Sequence, residues 1–227
     1  MKLFLESVKQ EAGDACSFVF RPETPLVWQA GQFMHYNLIH PNPDSRKTER
    51  YFTIASAPYE KNIMITTRLI ETASSFKKAL KTMPVGSTID ADGPAGEFTV
   101  PDDAGEAVFI AGGIGITPFR SILLDRDHRG LPVNATLMYA NSTENFVFRE
   151  ELETLAKRQP GLKIIYFVGG NRIDEAAIRR TVADIARPVF FVSGPEPMVQ
   201  ALEAVLKDMG VLEANLKRDY FPGYDWP

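Results

Sequence analysis

The stretch that most restricts the fold is VFIAGGIGITPFRSILL, residues 108–124. Val108 to Ala111 are apolar in succession, the pattern of a buried strand. Gly112, Gly113 and Gly115 then make a turn. Thr117 can cap a helix. Pro118 suits its first position, where the N–H that proline lacks would be unpaired, and Ile122 and Leu123 follow at helical spacing from Phe119. Strand, glycine turn and helix start in that order form an anion cradle. The glycines let backbone approach a phosphate, and the free N–H groups of the helix end point at it. The spacing is GGxGxxP rather than GxGxxG. Alone, such a cluster is equally a tight strand–helix connection, so its neighbours decide its meaning.

Beyond PDDAGE, an acidic and turn-rich linker, strands and helices alternate. The strands are AVFIA, ATLMYA, KIIYFVG and PVFFVSG, with a last one near NLKRDYF; helices start near Pro118, Phe148, Asp174 and Pro197. The last helix puts Met198, Ala201, Leu202, Val205, Leu206 and Met209 on one stripe, with Gly210 as its C-terminal left-handed residue. Near-continuous apolar strands alternating with helices predict an α/β doubly wound parallel sheet. In such sheets ligands bind beyond the strand carboxyl ends. GGIG and SGPEP both lie there and open on the same edge.

The first half reads as short strands between turn residues, the pattern of an antiparallel β-barrel or sandwich. One helix interrupts it: Phe76, Ala79, Leu80 and Met83 recur at helical spacing, with Ser74 or Ser75 as N-cap. Lys77 and Lys78 occupy its first turn, where the helix dipole disfavours cations; a bound anion there would reverse the effect, and solvation is the plainer explanation. RYFTIAS sets Arg50, Phe52 and Ile54 on one strand face and Tyr51, Thr53 and Ala55 on the other, with Ser56 closing the motif. One face thus offers a guanidinium for phosphate beside an aromatic plate. A surface arginine beside two packed aromatics has the same sequence. DGPAGEF is a turn that opens a strand at Phe98.

Composition narrows the function. The 227 residues suit one large domain or two small ones, 44% hydrophobic side chains can bury a sizeable core, and a net charge of −4 gives no electrostatic support for nucleic-acid binding. The single cysteine, Cys16, excludes an internal disulfide framework and a cysteine-held metal cluster. His35, His40 and His128 show no ligand spacing, so no metal site is expected. MKLFLESVKQ is too short and charged for a signal peptide, and no apolar run has transmembrane length; a cytoplasmic protein without membrane insertion is expected.

An antiparallel half bearing RYFTIAS, then GGIGITP, then SGPEPM, resembles the ferredoxin–NADP reductase family of flavoproteins, over essentially the whole chain. The resemblance implies an FAD-binding barrel over residues 1–102 and an NAD(P)-binding α/β domain over 103–227. Arg50 matches the arginine on the FAD pyrophosphate. Phe52 stands where the family usually has a tyrosine against the isoalloxazine, with Tyr51 beside it, so stacking is kept and a phenol hydrogen bond lost. Thr53 matches the hydroxyl residue near the flavin's reactive nitrogen. Ile65, Thr67 and Leu69 match a strand bordering flavin and ribityl chain, and Ala73, Ser74 and Ser75 the loop and helix start at the pyrophosphate. Gly112, Gly113, Gly115 and Thr117 match the nicotinamide-dinucleotide turn. Ser193, Gly194, Pro195 and Met198 match CGPxxM, with serine in place of the commoner cysteine near the nicotinamide. Phe221, Tyr224 and Trp226 are candidates for an aromatic that shields the flavin.

The resemblance implies an NAD(P)H-dependent oxidoreductase that passes hydride to FAD, with Thr53 and Ser193 nearest the chemistry, and electrons onward to a ferredoxin, flavodoxin, oxygenase component, free flavin or oxygen. Arg46, Lys47, Lys77, Lys78 and Lys81 could form a docking face for an acidic carrier. YANSTE has Ser142 and no basic residue nearby, and Arg172 is the nearest cation after the third strand, which leans toward NADH over NADPH. The competing expectations are an electron-transfer subunit of a larger redox complex and a non-enzymatic flavin-binding regulatory module.

Overall fold

The computed structural model describes residues 1–221, the last by its backbone alone. Six strands come first: β1 (Lys2–Gln10), β2 (Ala15–Pro22), β3 (Phe33–Asn37), β4 (Glu49–Thr53), β5 (Ile63–Arg68) and β6 (Thr88–Ala95). They pair antiparallel in the order β4-β3-β6-β1-β2-β5. The two edges meet at a corner where the Ala55 N–H donates to the Met64 carbonyl (2.9 Å), closing the sheet toward a barrel. Alternation sends Leu3, Leu5, Phe18, Phe20, Met34 and Tyr36 inward. Helix α1 (Ser75–Thr82) plugs the barrel with Phe76 and Leu80. Ser74 is its N-cap, accepting from the Lys77 N–H, which resolves the choice between the two serines.

The second unit interleaves β7 (Ala107–Gly112), α2 (Thr117–His128), β8 (Ala135–Asn141), α3 (Arg149–Arg158), β9 (Leu162–Val168), α4 (Glu175–Thr181), β10 (Val189–Pro195), α5 (Glu196–Asp208) and β11 (Leu216–Phe221). The strands are parallel in the order β11-β10-β7-β8-β9. Both sheet faces are covered. Phe109 and Ala111 pack with Phe119 of α2 and Leu152 of α3, while Val108 and Ile110 pack with Ile178 of α4 and Leu202 of α5. Successive strands leave β7 in opposite directions, so the crevice between β7 and β10 is the switch point where ligands bind in such sheets.

Two local expectations need correction. Phe98 opens no strand; it lies in the connection between the sheets and is 7% exposed, with its ring 5.6 Å from Phe119 and 5.3 Å from Phe191. Burying an aromatic in the second core outweighs pairing there. Thr117 does not cap α2 but begins it, and its hydroxyl donates to the Ile114 carbonyl (3.1 Å) inside the preceding tight turn. The first sheet ends at Ala95 and the second begins at Ala107, on either side of the expected junction at residues 102–103.

Candidate active site

The two sheets face each other across a cleft of about 1180 Å³. Its wall includes Arg46, Arg50, Arg68, Lys77, Arg172 and Arg218 against two carboxylates, Glu49 and Asp219. A chain of net charge −4 thus gathers positive charge in this cleft, which suits ligands bearing phosphates.

On the first wall, β4 carries the arginine, aromatic and threonine. Arg50 is 6% exposed. Its Nη2 donates to both Asp44 carboxylate oxygens (2.6 Å each) and its Nη1 to the carbonyls of Glu49 (2.6 Å) and Arg46 (2.9 Å). The Nε is buried without a partner. An orphaned donor on a pinned guanidinium that lines the cleft fits a pyrophosphate oxygen. Asp44 also accepts from the Ser75 N–H (3.0 Å), and its own N–H donates to the Ser75 hydroxyl (2.9 Å), so the loop is tied to the start of α1. Burial would raise the Asp44 carboxyl, but the bonds from Arg50, Ser75 and Arg46 outweigh it and hold it well below the usual carboxylate range. Ala73, Ser74 and Lys77 bring the N-terminus of α1 to the cleft wall. Phe52 packs against Phe76 (5.6 Å) and Tyr36 (5.9 Å), and Tyr51 stands 65% exposed beside His35 (4.7 Å).

On the second wall, the β7 turn opens into the cleft through Gly112, Gly113, Ile114 and Thr117. Gly113 has φ +53°, a left-handed conformation that costs a side-chain-bearing residue, and its carbonyl accepts from the buried Tyr139 hydroxyl (3.0 Å). Gly115 is used differently. A Cβ there would lie 2.2 Å from the Ser193 carbonyl oxygen, so the turn packs backbone to backbone against the end of β10. Gly115→Ala is expected to lower stability by about 3 kcal/mol, the upper end for overpacking, read as a lowered urea midpoint with unchanged slope. Met198 lies beneath the turns, since added Cβ atoms at Gly112 and Gly194 would meet its Sδ at 2.3 Å and its Cε at 2.6 Å.

One contact between the walls lies at the carboxyl end of β10. Thr53 Oγ1 donates to Asp219 Oδ2 (3.4 Å), and Ser193 Oγ donates to the same oxygen (3.3 Å). Thr53 belongs to β4, Ser193 to β10 and Asp219 to β11. Ser193 is wholly buried and Thr53 nearly so. Burial pushes the Asp219 carboxyl up from 3.8 to about 6, against the opposing pull of the two hydroxyls.

Of the expected residues, Arg50, Tyr51, Phe52, Thr53, Thr67, Ala73, Ser74, Gly112, Gly113, Thr117, Arg172 and Pro195 line the cleft. Ser193 reaches it through Asp219. Ile65 and Leu69 do not line it: Ile65 points into the barrel core and Leu69 packs against that core. Ser56 lies outside too; its hydroxyl donates to the Asn62 carbonyl (2.7 Å) and accepts from the Met64 N–H (3.1 Å), holding a turn. Ser75 is engaged with Asp44, and Gly115, Gly194 and Met198 pack the turns. The side chain of Phe221, and Tyr224 and Trp226, lie outside the described residues.

Asp219 and Arg68 escaped the sequence analysis. Asp219 sits in NLKRDYF, where only a strand was expected. Arg68, between Thr67 and Leu69, donates to Asn141 Oδ1 (2.6 Å) across the cleft and to Asp14 Oδ1 (3.1 Å). Strand alternation was the available signal: if Ile65 faces the core, Thr66 and Arg68 share the other face. Among the described residues no group of His, Cys, Asp and Glu is placed to hold a metal ion, and no helix is long and apolar enough to cross a membrane.

The family model for the oxidoreductase NAD-binding domain matches residues 109–204. The reductase component of phenol 2-monooxygenase from Pseudomonas sp. (strain CF600) is 28% identical over 213 residues, covering 88% of this chain and 59% of that protein. A flavohemoprotein from Burkholderia sp. (strain TH2) is 26% identical over 230 residues, covering 93% of this chain and 56% of that one. The chain therefore spans less than three fifths of these relatives. The solved flavohem-like FAD/NAD-binding domain of nitric oxide dioxygenase from Vibrio cholerae superposes with a TM-score of 0.83 at 19% identity, covering 97% of this chain and 98% of that domain.

Proposed function

We propose that this chain, which belongs to the ferredoxin–NADP reductase family of flavoproteins, is an FAD-dependent NAD(P)H oxidoreductase that passes electrons to a separate acceptor. The observation that carries the reading is the single cleft in which a β4 threonine and a β10 serine share one buried carboxylate of β11. Arg50 and the N-terminus of α1 would hold the FAD pyrophosphate, with the unpartnered Nε taking a phosphate oxygen. The β7 turn, with Arg68 reaching over it, would hold the nicotinamide dinucleotide. Bound there, the flavin supplies hydride acceptance and electron release singly or in pairs.

The chain's own groups supply position and proton control. Thr53 and Ser193 hold their hydroxyls toward Asp219, which orients both side chains at the junction. A carboxyl with a pKa of about 6 can hold a proton at Oδ2 or release it near neutral pH, passing it by way of the Thr53 hydroxyl. Holding two reacting rings in register lowers the barrier by several kcal/mol in well-oriented systems.

NADH is the proposed donor. Ser142 and Arg172 line the far end of the cleft, at the carboxyl ends of β8 and β9, where a 2′-phosphate would be read. Ser142→Arg is expected to raise kcat/KM for NADPH relative to NADH by about tenfold, one charge-assisted bond; an unchanged ratio would remove this placement. Reduced nicotinamide nucleotides are intracellular, so the proposal includes a cytoplasmic location. The reading as a whole is tested by NADH oxidation with ferricyanide as artificial acceptor. Turnover that depends on added or retained FAD is expected, and none with FAD present would contradict it.

A further inference from the structure

Arg120 lies one residue past Phe119 on α2, a helical turn beyond the glycine turn, and reaches into the first domain. Each of its five N–H groups has an acceptor. Nε donates to Glu151 Oε2 (2.6 Å), Nη1 to the Ala55 carbonyl (2.9 Å) and Glu60 Oε2 (2.9 Å), and Nη2 to Glu60 Oε1 (3.2 Å) and Glu151 Oε1 (2.8 Å). The Phe148 ring lies 5.0 Å from the guanidinium carbon. The next residue, Ser121, donates to the Ser56 carbonyl (2.7 Å). Glu60 Oε2 also accepts from the Ala57 N–H (2.6 Å). The turn after β4 is therefore bonded to α2 at Ala55 and Ser56 and braced from below by Glu60.

Both ends of this knot are close in sequence to the reacting end of the cleft. Ala55 is two residues after Thr53, and Arg120 is three after Thr117. Thr53 makes the contact with Asp219 on the other wall. With so few residues between bonded points, little slack remains between the knot and the cleft.

We propose that Arg120 is a positioning residue for hydride transfer: by fastening the Ala55–Ala57 turn to α2, it sets the separation of Thr53 from the Ser193–Asp219 pair. This rests on the cleft being the flavin–nicotinamide site. Only arginine can do it. A lysine carries the same charge on one atom with three donors and cannot span Ala55, Glu60 and Glu151 at once.

The test compares Arg120→Lys and Glu60→Gln with Leu202→Ala, a packing variant on the opposite face of the second sheet. Amide hydrogen exchange at residues 55–57 and 113–117 needs no cofactor. The long-wavelength absorbance of the reduced flavin with NAD⁺ bound and the rate of flavin reduction by NADH report ring juxtaposition. Both clamp variants are expected to exchange faster in these two segments. They should also lose the long-wavelength band and slow reduction on the order of tenfold to a hundredfold with KM little changed. Leu202→Ala is expected to lower Tm while keeping band and rate. Wild-type exchange in both clamp variants, or wild-type band and rate in Arg120→Lys, would overturn the proposal. If the wild-type protein takes up no FAD, the flavoprotein reading falls instead, and the exchange measurement alone decides whether Arg120 ties the two walls.

Discussion

Replacing Asp219 with asparagine is expected to slow NADH oxidation by a factor of about 10² to 10⁴, the range for losing a positioned proton-holding group, while making the protein more stable above pH 6. The two effects have one cause. Burial raises the Asp219 carboxyl from 3.8 to about 6, so the folded protein holds a proton that the unfolded chain has released. Between about pH 4 and pH 6 this carboxyl therefore makes stability fall as pH rises, and above pH 6 the folded state carries the full penalty of a buried charge. A shift of that size corresponds to about 3 kcal/mol as a ceiling. Asparagine stays neutral and can still bond Thr53 and Ser193. The Tm difference between variant and wild type should grow from pH 4 to pH 6 and level off beyond. A difference independent of pH would show that Asp219 does not titrate there, and an active Asp219→Asn protein would remove it from the chemistry. Loss of function joined to gain of stability is what a strained functional group predicts.

Arg50→Ala is expected to weaken FAD binding on the order of 100-fold, near the cost of one lost charge-assisted hydrogen bond to phosphate. The variant would also leave the Asp44 carboxylate without its guanidinium partner, although Asp44 keeps its bonds from Ser75 and Arg46. Arg50→Lys keeps the charge without the fork and should fall between. Quenching of FAD fluorescence on binding measures each. Equal affinity in all three proteins would mean that the buried Nε faces no phosphate.

The fold was legible because both halves follow simple periodicities. Leu3 and Leu5 alternate into the barrel, and the unbroken run Val108–Ala111 is buried on both sides of its sheet. The glycine turn was legible as a turn, but its division of labour was not. Gly113 needs its backbone conformation, while Gly115 needs the space taken by the Ser193 carbonyl, a partner nearly eighty positions away. Asp219 shows the same limit. An aspartate in LKRDY reads as a surface charge, and only parallel pairing of β11 with β10, which sets Ser193 opposite Asp219, buries it. Asp44 sat in a loop whose sequence announced turns and nothing more; its role appears only when the loop folds onto α1 and Arg50. Long-range pairing decided all three, and local sequence carries no record of it.

In the proposed function one cleft brings a nicotinamide donor to a flavin. The measurement that tests it most directly is an anaerobic titration of the FAD-loaded protein with NADH, followed in the visible spectrum. A flavin band that bleaches with one equivalent of NADH per FAD is expected. A protein that binds FAD but keeps its band with both NADH and NADPH would contradict it.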